Sequence, residues 1–349
     1  MYTKRITVDL AKNVFQLAVF DVAGKVVDRK RLNRIAFHTF LTKLSEPTEL
    51  IVEACGTAHY WGRTLQRMGH KVTLLHAGYV KPYRRRNKTD KNDCDAIFEA
   101  SRANDIRPIP VKTELQQHTQ HLHSIRELYK GNLNQRINLL RSIYREQGFD
   151  CPEGKETFLK VAFAIADEPV MQPLKNHINK LLAEISDFIQ LIKDCEKTDK
   201  IINANNPIIQ RLDDVSGVGF LIASAMVSAI GSPERFKNGR MLSAFIGMTP
   251  REFSSGSKRK LGKISLAGNT YLRTILIHGA RSALLAARRC AINTPEKLTR
   301  LQLWAVQLSE RTSFNKATVA LANKLVRICW SVWMHERHFD GNYRPQPSA

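Results

Sequence analysis

Arg5-Ile6-Thr7-Val8-Asp9-Leu10 is a short apolar run that carries one carboxylate near its end, and Glu49-Leu50-Ile51-Val52-Glu53-Ala54 repeats the pattern. Apolar runs of this length, rich in β-branched residues, predict β-strands. Acidic side chains are seldom found at the ends of such strands for packing reasons. The two runs therefore predict that Asp9 and Glu53 share one cleft.

A further acidic pair lies in Lys88-Thr89-Asp90-Lys91-Asn92-Asp93, which leads into the apolar run Ala96-Ile97-Phe98. This pattern predicts the start of a helix, and the spacing of three residues puts Asp90 and Asp93 on one face. Any one acid of the set could be ordinary helix capping or a charged strand end. As a group, Asp9, Glu53, Asp90 and Asp93 predict a Mg²⁺ site, because Mg²⁺ prefers carboxylate, water and phosphate oxygens.

The segments around these motifs alternate between strand and helix patterns. Further strands are predicted at 14–20, 26–32 and 71–76, and helices at 36–44 and 60–68. This order matches the ribonuclease-H-like fold, in which the first and fourth strands are neighbours and a later helix crosses near their ends. We therefore expect an α/β domain over residues 1–112, with the four acids in one site.

The composition predicts an extended polyanionic partner. The 349 residues carry 54 Lys and Arg against 32 Asp and Glu, a net charge of +22, which is far more than solubility requires. The sequence shows neither an apolar leader nor a membrane-length apolar run, so a cytoplasmic location and no membrane partner are expected. The six cysteines are scattered without the close pairs that a zinc site needs.

A basic loop precedes the Asp90 motif. The run 81–88 carries one aromatic residue among its cations, and its position beside the acids favours binding of a phosphate backbone over a merely solvated charge run. The predicted contacts are Lys81, Arg84, Arg85, Arg86 and Lys88.

Residues 113–205 predict a helical, coiled-coil-like connection. One apolar seam comprises Leu122, Ile125, Tyr129, Leu133, Ile137, Leu140 and Tyr144, and a second comprises Leu174, Ile178, Leu181, Ile185, Phe188 and Ile192. Their alternating spacings of three and four fit a helical hairpin within one chain or a coiled coil between chains. Both possibilities stay open.

Residues 206–349 predict an all-α domain. It opens with Val215-Ser216-Gly217-Val218-Gly219, where paired glycines between helices suggest a helix-hairpin-helix-like phosphate contact through Gly217 and Gly219, although Gly-x-Gly also marks plain turns. It closes on a terminal helix whose stripe of Val319, Ala322, Val326, Cys329 and Trp333 predicts core packing.

A Ser- and Gly-rich basic loop interrupts this helical domain. Its serines lie next to Gly256 among arginines and lysines, which suits a nucleophile attacking a phosphodiester, whereas the alternative is a disordered linker. The predicted nucleic-acid contacts are Arg251, Lys258, Arg259, Lys260, Lys263 and Arg273.

Taken together, the motifs resemble insertion-sequence family 110, the transposases with an acidic tetrad, and more closely its 1111 subgroup. The resemblance rests on Val8–Lys12, Val52–Thr57, Lys88–Asp93, Gly217–Gly219, and Gly247–Pro250 followed by Ser255-Gly256. It covers nearly the whole chain in the family's order, and Piv-type DNA invertases share the same motifs.

The resemblance implies a resolvase-like first domain, a coiled-coil connection and a helical domain with a catalytic serine. It assigns Mg²⁺ to Asp9, Glu53, Asp90 and Asp93, and nucleophilic attack to Ser255, with Ser254 and Ser257 as neighbouring alternatives. It also implies double-stranded donor and target DNA, a noncoding bridge RNA as guide, and homodimers that assemble into tetramers. In this family, the serine of one subunit completes the acidic site of another.

The hypothesis is therefore recombination through a covalent phosphoserine, with transposition and inversion both open. Its rivals are a Mg²⁺-dependent junction resolvase or nuclease, in which the acids activate water, and a non-catalytic nucleic-acid-binding protein.

Overall fold

The computed structural model describes residues 4–84, 90–256, 258 and 260–343, and of Asp90 and Lys91 it describes the backbone alone. Two compact units are present. The sheet unit comprises Met1–Glu114 and Ile230–Met241, and the helical unit comprises Leu115–Ala229 and Leu242–Ala349. The expected boundaries near residues 112 and 205 stay predictions.

The sheet unit is built on a five-stranded mixed sheet. Its strands are β1 (Arg5–Leu10), β2 (Val14–Phe20), β3 (Val26–Asn33), β4 (Glu49–Ala54) and β5 (Lys71–His76). The strand order is β3-β2-β1-β4-β5, with β1 antiparallel to β2 and parallel to β4. The predicted adjacency of the first and fourth strands is confirmed.

Both faces of this sheet are covered by helices. These helices are α1 (Arg34–Thr42), α2 (Ala58–Arg67), α3 (Ala77–Val80) and α4 (Asp90–Arg102). Val8 packs in one core with Phe37 of α1 and Trp61 of α2, whereas Ile51 packs in a second core with Ile97 of α4. Because successive side chains along a strand point to opposite faces, this alternation decides which strand residues face α4.

The rest of the chain is mainly helical. It contains α5 (Glu114–Glu146), α6 (Lys155–Ala166), α7 (Lys175–Ile202), α8 (Pro207–Asp213), α9 (Phe220–Ile230), α10 (Gly239–Ile246), the strands β6 (Pro250–Glu252) and β7 (Leu261–Ile264), α11 (Thr270–Asn293), α12 (Arg300–Arg311) and α13 (Phe314–Met334). Among the described residues, no helix combines the length and apolar character required to cross a membrane.

The two predicted apolar seams meet within one chain. Leu140 and Tyr144 of α5 lie in a buried cluster with Phe158 of α6 and Ile185 of α7. Tyr144 also donates a hydrogen bond of 2.8 Å to the carbonyl of Ala162. Helix packing within one chain therefore accounts for the part of each seam that lies in this cluster. A coiled coil between chains stays a prediction.

A buried polar network joins helices α5, α7 and α9. His123 Nε2 lies 3.0 Å from Ser224 Oγ, which donates to Asp199 Oδ2 at 2.6 Å. Asn203 donates to Asp199 Oδ1 at 2.8 Å and to Thr119 at 2.9 Å. Buried polar groups need such partners, because an unmade hydrogen bond in the interior is costly. The network thereby fixes how these helices align.

The Gly217 turn between α8 and α9 is a close-packing site. Gly217 has φ +90°, and a Cβ at this position would lie 2.8 Å from Ala283 Cβ and 3.0 Å from the carbonyl oxygen of Gly279 on α11. At Gly219, the nearest atom to an added Cβ would be Asp213 Oδ1, at 3.9 Å. Close packing against α11 thus explains the glycine at position 217 without any bound phosphate. The helix-hairpin-helix interpretation stays a prediction.

The Gly217→Ala variant is expected to lose about 2–4 kcal/mol in the free energy of unfolding, because it combines a left-handed backbone with a collision against α11. Urea unfolding followed by circular dichroism measures this loss. Gly219→Ala is the matched control and is expected to change the free energy by less than about 1 kcal/mol. Equal losses in the two variants would contradict the packing role of Gly217.

Candidate active site

The ends of β1 and β4 bring two of the predicted acids to one edge of the sheet. Val8 and Val52 are partners in the parallel register, and each is followed directly by an acid, Asp9 or Glu53. Thr7 and Asp9 alternate with Ile6 and Val8, so they point toward the α4 side of the sheet. The strand pairing thus places Asp9 and Glu53 as neighbours.

Arg84 connects Glu53 to the acid on α4. One guanidinium nitrogen, Nη2, donates to both carboxylate oxygens of Glu53, at 3.0 and 2.7 Å. Arg84 Nε lies 3.1 Å from Asp93 Oδ1. The side chains of Glu53 and Asp93 are only 14% and 8% exposed, which makes this a largely desolvated ion cluster.

The charge around Arg84 comes from three of the four predicted acids. Burial lowers the pKa of Arg84, but the hydrogen bond and charge of Glu53 and the charges of Asp93 and Asp9 outweigh burial and raise it. Asp93 Oδ1 is buried and has an ion-pair distance to Arg84 without the geometry of a directed hydrogen bond. A cation between carboxylates offsets their mutual repulsion, and Arg84 is that cation here.

Asp90 and Asp95 are two further acids of α4. Asp90 begins the helix, but its side chain lies outside the described residues. Asp95 forms an ion pair of 2.7 Å with Arg29, outside the Arg84 cluster. Among the described side chains, no three acidic, histidine or cysteine groups stand together as a ready metal-ligand set.

Arg84 is the residue whose role the sequence did not reveal. It was predicted to bind phosphate together with its neighbours, whereas the structure directs its guanidinium to Glu53 and Asp93. Nothing in a run of three arginines distinguishes the first from the others. Lys81 lies exposed in a short 3-10 turn. The remaining predicted contacts of this loop, Arg85, Arg86 and Lys88, lie outside the described residues.

Cys94 lies beside the acids as a buried packing residue. Burial, followed by the charge of Asp9, raises the pKa of its thiol to about 12, and the sulfur lies 3.4 Å from the carbonyl of Gln16. A thiol in this state is a poor nucleophile, so Cys94 is a packing residue. Cys55, in contrast, is exposed.

The basic loop of the helical unit is a folded ribbon. Strands β6 and β7 pair antiparallel, and beyond them Ser255 and Lys258 exchange backbone hydrogen bonds of 3.3 and 3.2 Å. Gly256, with φ +56°, forms the turn. The alternative of a disordered linker is therefore wrong for the described part of this loop.

The exposed serines of the ribbon differ in their contacts. Ser254 Oγ donates to Glu252 at 2.7 Å and accepts from the backbone N–H of Lys260 at 3.1 Å. In the described part of the loop, no hydrogen bond involves Ser255 Oγ, and the side chain faces solvent. Ser257, the third candidate, lies outside the described residues. The geometry thus leaves Ser255 more available than Ser254.

The base of the ribbon is tightly packed. Gly247 and Gly268 both have positive φ, and a Cβ on either would collide with the backbone of Ala267 or Phe245. Arg273 is 5% exposed, and its guanidinium donates to the carbonyls of Ile246 and Ala267 at 2.9 and 2.8 Å. The motif glycines at this position thus let two chain segments touch.

The predicted nucleic-acid contacts of the loop divide into two groups. Four residues are exposed on the ribbon, namely Arg251, Lys258, Lys260 and Lys263. Arg273 was predicted to belong with them, but in this structure its guanidinium donates to two backbone carbonyls and to Thr270 Oγ1, so it holds the base of the ribbon. Arg259 lies outside the described residues.

Two models of known protein families match this chain, one over the acidic motifs and one over the serine motif. Residues 6–146 match the model of the DEDD transposase domain of the IS110 type, and residues 209–294 match the model described as transposase IS116/IS110/IS902 family. The first match contains the acids around Arg84, and the second contains the Ser255 ribbon.

Individual relatives extend over almost the whole chain. A probable family 20 transposase of Pseudomonas aeruginosa is 36% identical over 96% of this chain and 98% of its own length. The transposase for insertion sequence element IS1111A of Coxiella burnetii is 37% identical over 94% of this chain and 89% of its own length. The transposase for IS1328 of Yersinia enterocolitica is 29% identical over 94% and 96%. With both family models and nearly full-length relatives in agreement, this chain belongs to the IS116/IS110/IS902 family of insertion-sequence transposases, enzymes that cut and rejoin DNA.

Proposed function

We propose that this transposase cuts and rejoins DNA through a covalent phosphoserine on Ser255, assisted by Mg²⁺ at an acidic site of ribonuclease-H-like architecture. The observation that carries the proposal is the arrangement of Glu53, Asp93 and Asp9 around a single cation at the ends of two parallel strands. The strand order and the crossing of α4 support the fold assignment.

The chemistry of the site fits a hard divalent cation. The residues that would hold it are Asp9, Glu53, Asp90 and Asp93, which supply only carboxylate oxygens, the ligands that Mg²⁺ prefers. Asp93 Oδ1 is buried without a directed hydrogen bond, so one ligand atom already lacks a geometrically satisfied partner. When bound, the ion would supply charge stabilisation at the scissile phosphate.

Arg84 would then exchange partners. Its ion pairs with Glu53 and Asp93 compete with metal for the same oxygens. Once released, its guanidinium suits a phosphate of the DNA, because a planar fork of donors matches phosphate oxygens. This exchange reconciles the predicted phosphate role of Arg84 with its position in the structure.

The serine step is a transesterification. Ser255 Oγ gives up its proton to solvent and attacks phosphorus, the bond from phosphorus to one DNA oxygen breaks, and that oxygen takes up a proton from solvent and leaves as a hydroxyl. The reverse attack by another strand's hydroxyl releases the serine, so the phosphodiester is kept without ATP. Lys258 and Lys260 are exposed and follow Ser255 closely in the ribbon, so they can bind the phosphates that flank the one under attack.

The acids and Ser255 belong to different units of the chain. We therefore include in the proposal the homodimers and tetramers that the family resemblance implies, with the serine of one subunit acting at the acidic site of another. The same resemblance supplies the bridge RNA as guide. The net charge of +22 supports both DNA and RNA as partners, since each is a polyanion.

Ser255→Ala is expected to abolish the covalent protein–DNA adduct that forms when the protein is incubated with Mg²⁺, its guide RNA and DNA containing the element's ends. Denaturing electrophoresis of labelled DNA detects the adduct. Ser254→Ala is the matched control, one residue away in the same ribbon, and is expected to keep the adduct. DNA cut to free ends by the Ser255→Ala variant would instead establish a nuclease that activates water.

Asp93→Asn is expected to weaken Mn²⁺ binding at least roughly tenfold, because one charged ligand is lost. Arg84→Ala is expected to tighten Mn²⁺ binding by roughly tenfold, because the competing cation is removed. Calorimetric titration of the apoprotein measures both changes.

Asp95→Asn controls for loss of one charge from α4, since Asp95 pairs with Arg29 instead. Its Mn²⁺ affinity is expected to equal that of the wild type. Equal affinity in the Asp93→Asn, Asp95→Asn and wild-type proteins would rule out a metal site at Asp93.

A further inference from the structure

A second concave site lies in the helical unit, apart from the Ser255 ribbon. It is a cavity of about 450 Å³ formed by α12, α13 and the chain segment that follows α13. The residues that matter to the argument are Arg300, Trp304, Lys324, Arg327, Arg337 and Tyr343.

The segment after α13, which forms one wall of the cavity, is held in place by hydrogen bonds to α12 and α13. The backbone N–H of Leu301 donates to the carbonyl of Gly341 at 3.1 Å, and the N–H of Arg300 donates to Asn342 Oδ1 at 3.0 Å. Arg337 donates to Ser331 of α13. These contacts tie the segment to the start of α12 and to α13, so the cavity is a built feature.

The cavity carries uncompensated positive charge. Within residues 4–84, 90–256, 258 and 260–343, none of Arg300, Lys324, Arg327 and Arg337 forms an ion pair with a carboxylate. Among the described lining residues, Asp340 is the single acid, and it accepts a hydrogen bond from the backbone N–H of Asn342. Burial, then the charges of Arg327 and Arg300, lowers the pKa of Lys324. The cations therefore repel one another and favour an anionic ligand.

Other arginines of this unit show the contrast. Arg126 is paired with Glu196 at 2.7 Å, and Arg136 is paired with Glu184 at 2.6 Å. These two arginines are neutralised by carboxylates within the helical unit. The cations around this cavity are grouped without such partners, which indicates that a ligand from outside the described chain supplies the negative charge.

Aromatic rings give the cavity a second chemical character. Lys324 Nζ lies 3.9 Å from the centre of the Trp304 ring, and the Arg337 guanidinium lies 4.5 Å from the centre of the Tyr343 ring. Both rings are partly exposed. Aromatic faces beside cations stack nucleobases, and such stacking does not require a particular base.

We propose that this cavity binds one unpaired nucleotide of a single-stranded nucleic acid, with the phosphate on Arg300 and Arg327 and the base stacked on Trp304. Duplex DNA does not meet these requirements, because its base faces are covered by their neighbours in the stack. A volume of about 450 Å³ holds a ligand of nucleotide size and not a helix. The site rests on the proposed nucleic-acid function but needs neither Ser255 nor the acids.

Fluorescence anisotropy with labelled ten-nucleotide RNA, the same sequence as single-stranded DNA, and its DNA duplex tests the proposal. The measurement is made on the full chain in EDTA, so that failure of the Mg²⁺ chemistry does not affect it. The double variant R300Q/R327Q is expected to bind both single strands at least roughly tenfold more weakly, and Trp304→Leu roughly five- to hundredfold more weakly. A larger loss for RNA or for DNA identifies the strand that the cavity takes.

The matched control is K180Q/K193Q, which removes two exposed charges from α7. It corrects for the general loss of net charge and is expected to reduce single-strand and duplex binding equally, by less than about threefold. Cavity variants that bind single strands as tightly as this control would overturn the proposal. So would losses that are equal for single strands and duplex.

Photo-crosslinking of the wild-type protein to an oligonucleotide with one 4-thiouridine gives a result that does not depend on how variants fold. Mass spectrometry is expected to find the adduct on the peptide containing Trp304 or Tyr343. Adducts confined to other peptides would contradict the site. Inorganic phosphate that displaces the oligonucleotide at stoichiometric concentration would reduce the cavity to a simple anion site and also overturn the proposal.

Discussion

Crowding of like charges at the ends of β1 and β4 is the constraint on which the candidate active site depends. Parallel pairing of Val8 with Val52 makes neighbours of Asp9 and Glu53, and the packing of α4 on the same face adds Asp93. At a separation of about 5 Å and an effective dielectric constant near 20, two carboxylates repel by about 3 kcal/mol. A cation among the carboxylates offsets this repulsion, and Arg84 supplies it through its pairs with Glu53 and Asp93.

Features set by local pattern could be predicted from the sequence. The order of the predicted strands and helices indicated that the first and fourth strands are neighbours, and strand β5 has the predicted bounds. Helix α1 starts two residues before its predicted position, because the Asn33 side chain accepts a hydrogen bond from the N–H of Ala36 and caps it. Cap and turn contacts of this kind shift element ends without changing which elements form.

Features set by long-range contacts could not be predicted in this way. The direction of the Arg84 side chain depends on Glu53, which lies 31 positions earlier, and burial of Arg273 depends on carbonyls that the Gly247 and Gly268 turns bring together. Both arginines lie in or next to segments as basic as a phosphate-binding loop. The composition of a segment does not specify which partner each arginine binds. Basic residues from similar segments thus have different roles. Arg84 is a counter-ion of the acids, Arg273 holds the base of the ribbon, and the other described cations of the Ser255 ribbon are exposed.

In the proposed mechanism, Arg84 holds the place of a metal ion among the acids. Anomalous diffraction from crystals grown with Mn²⁺ and a DNA strand can test this role. We expect an anomalous peak bonded to Glu53 and Asp93, with the Arg84 guanidinium moved from these carboxylates to a DNA phosphate. A structure in which Arg84 keeps both ion pairs while Mn²⁺ binds elsewhere on the protein would contradict it.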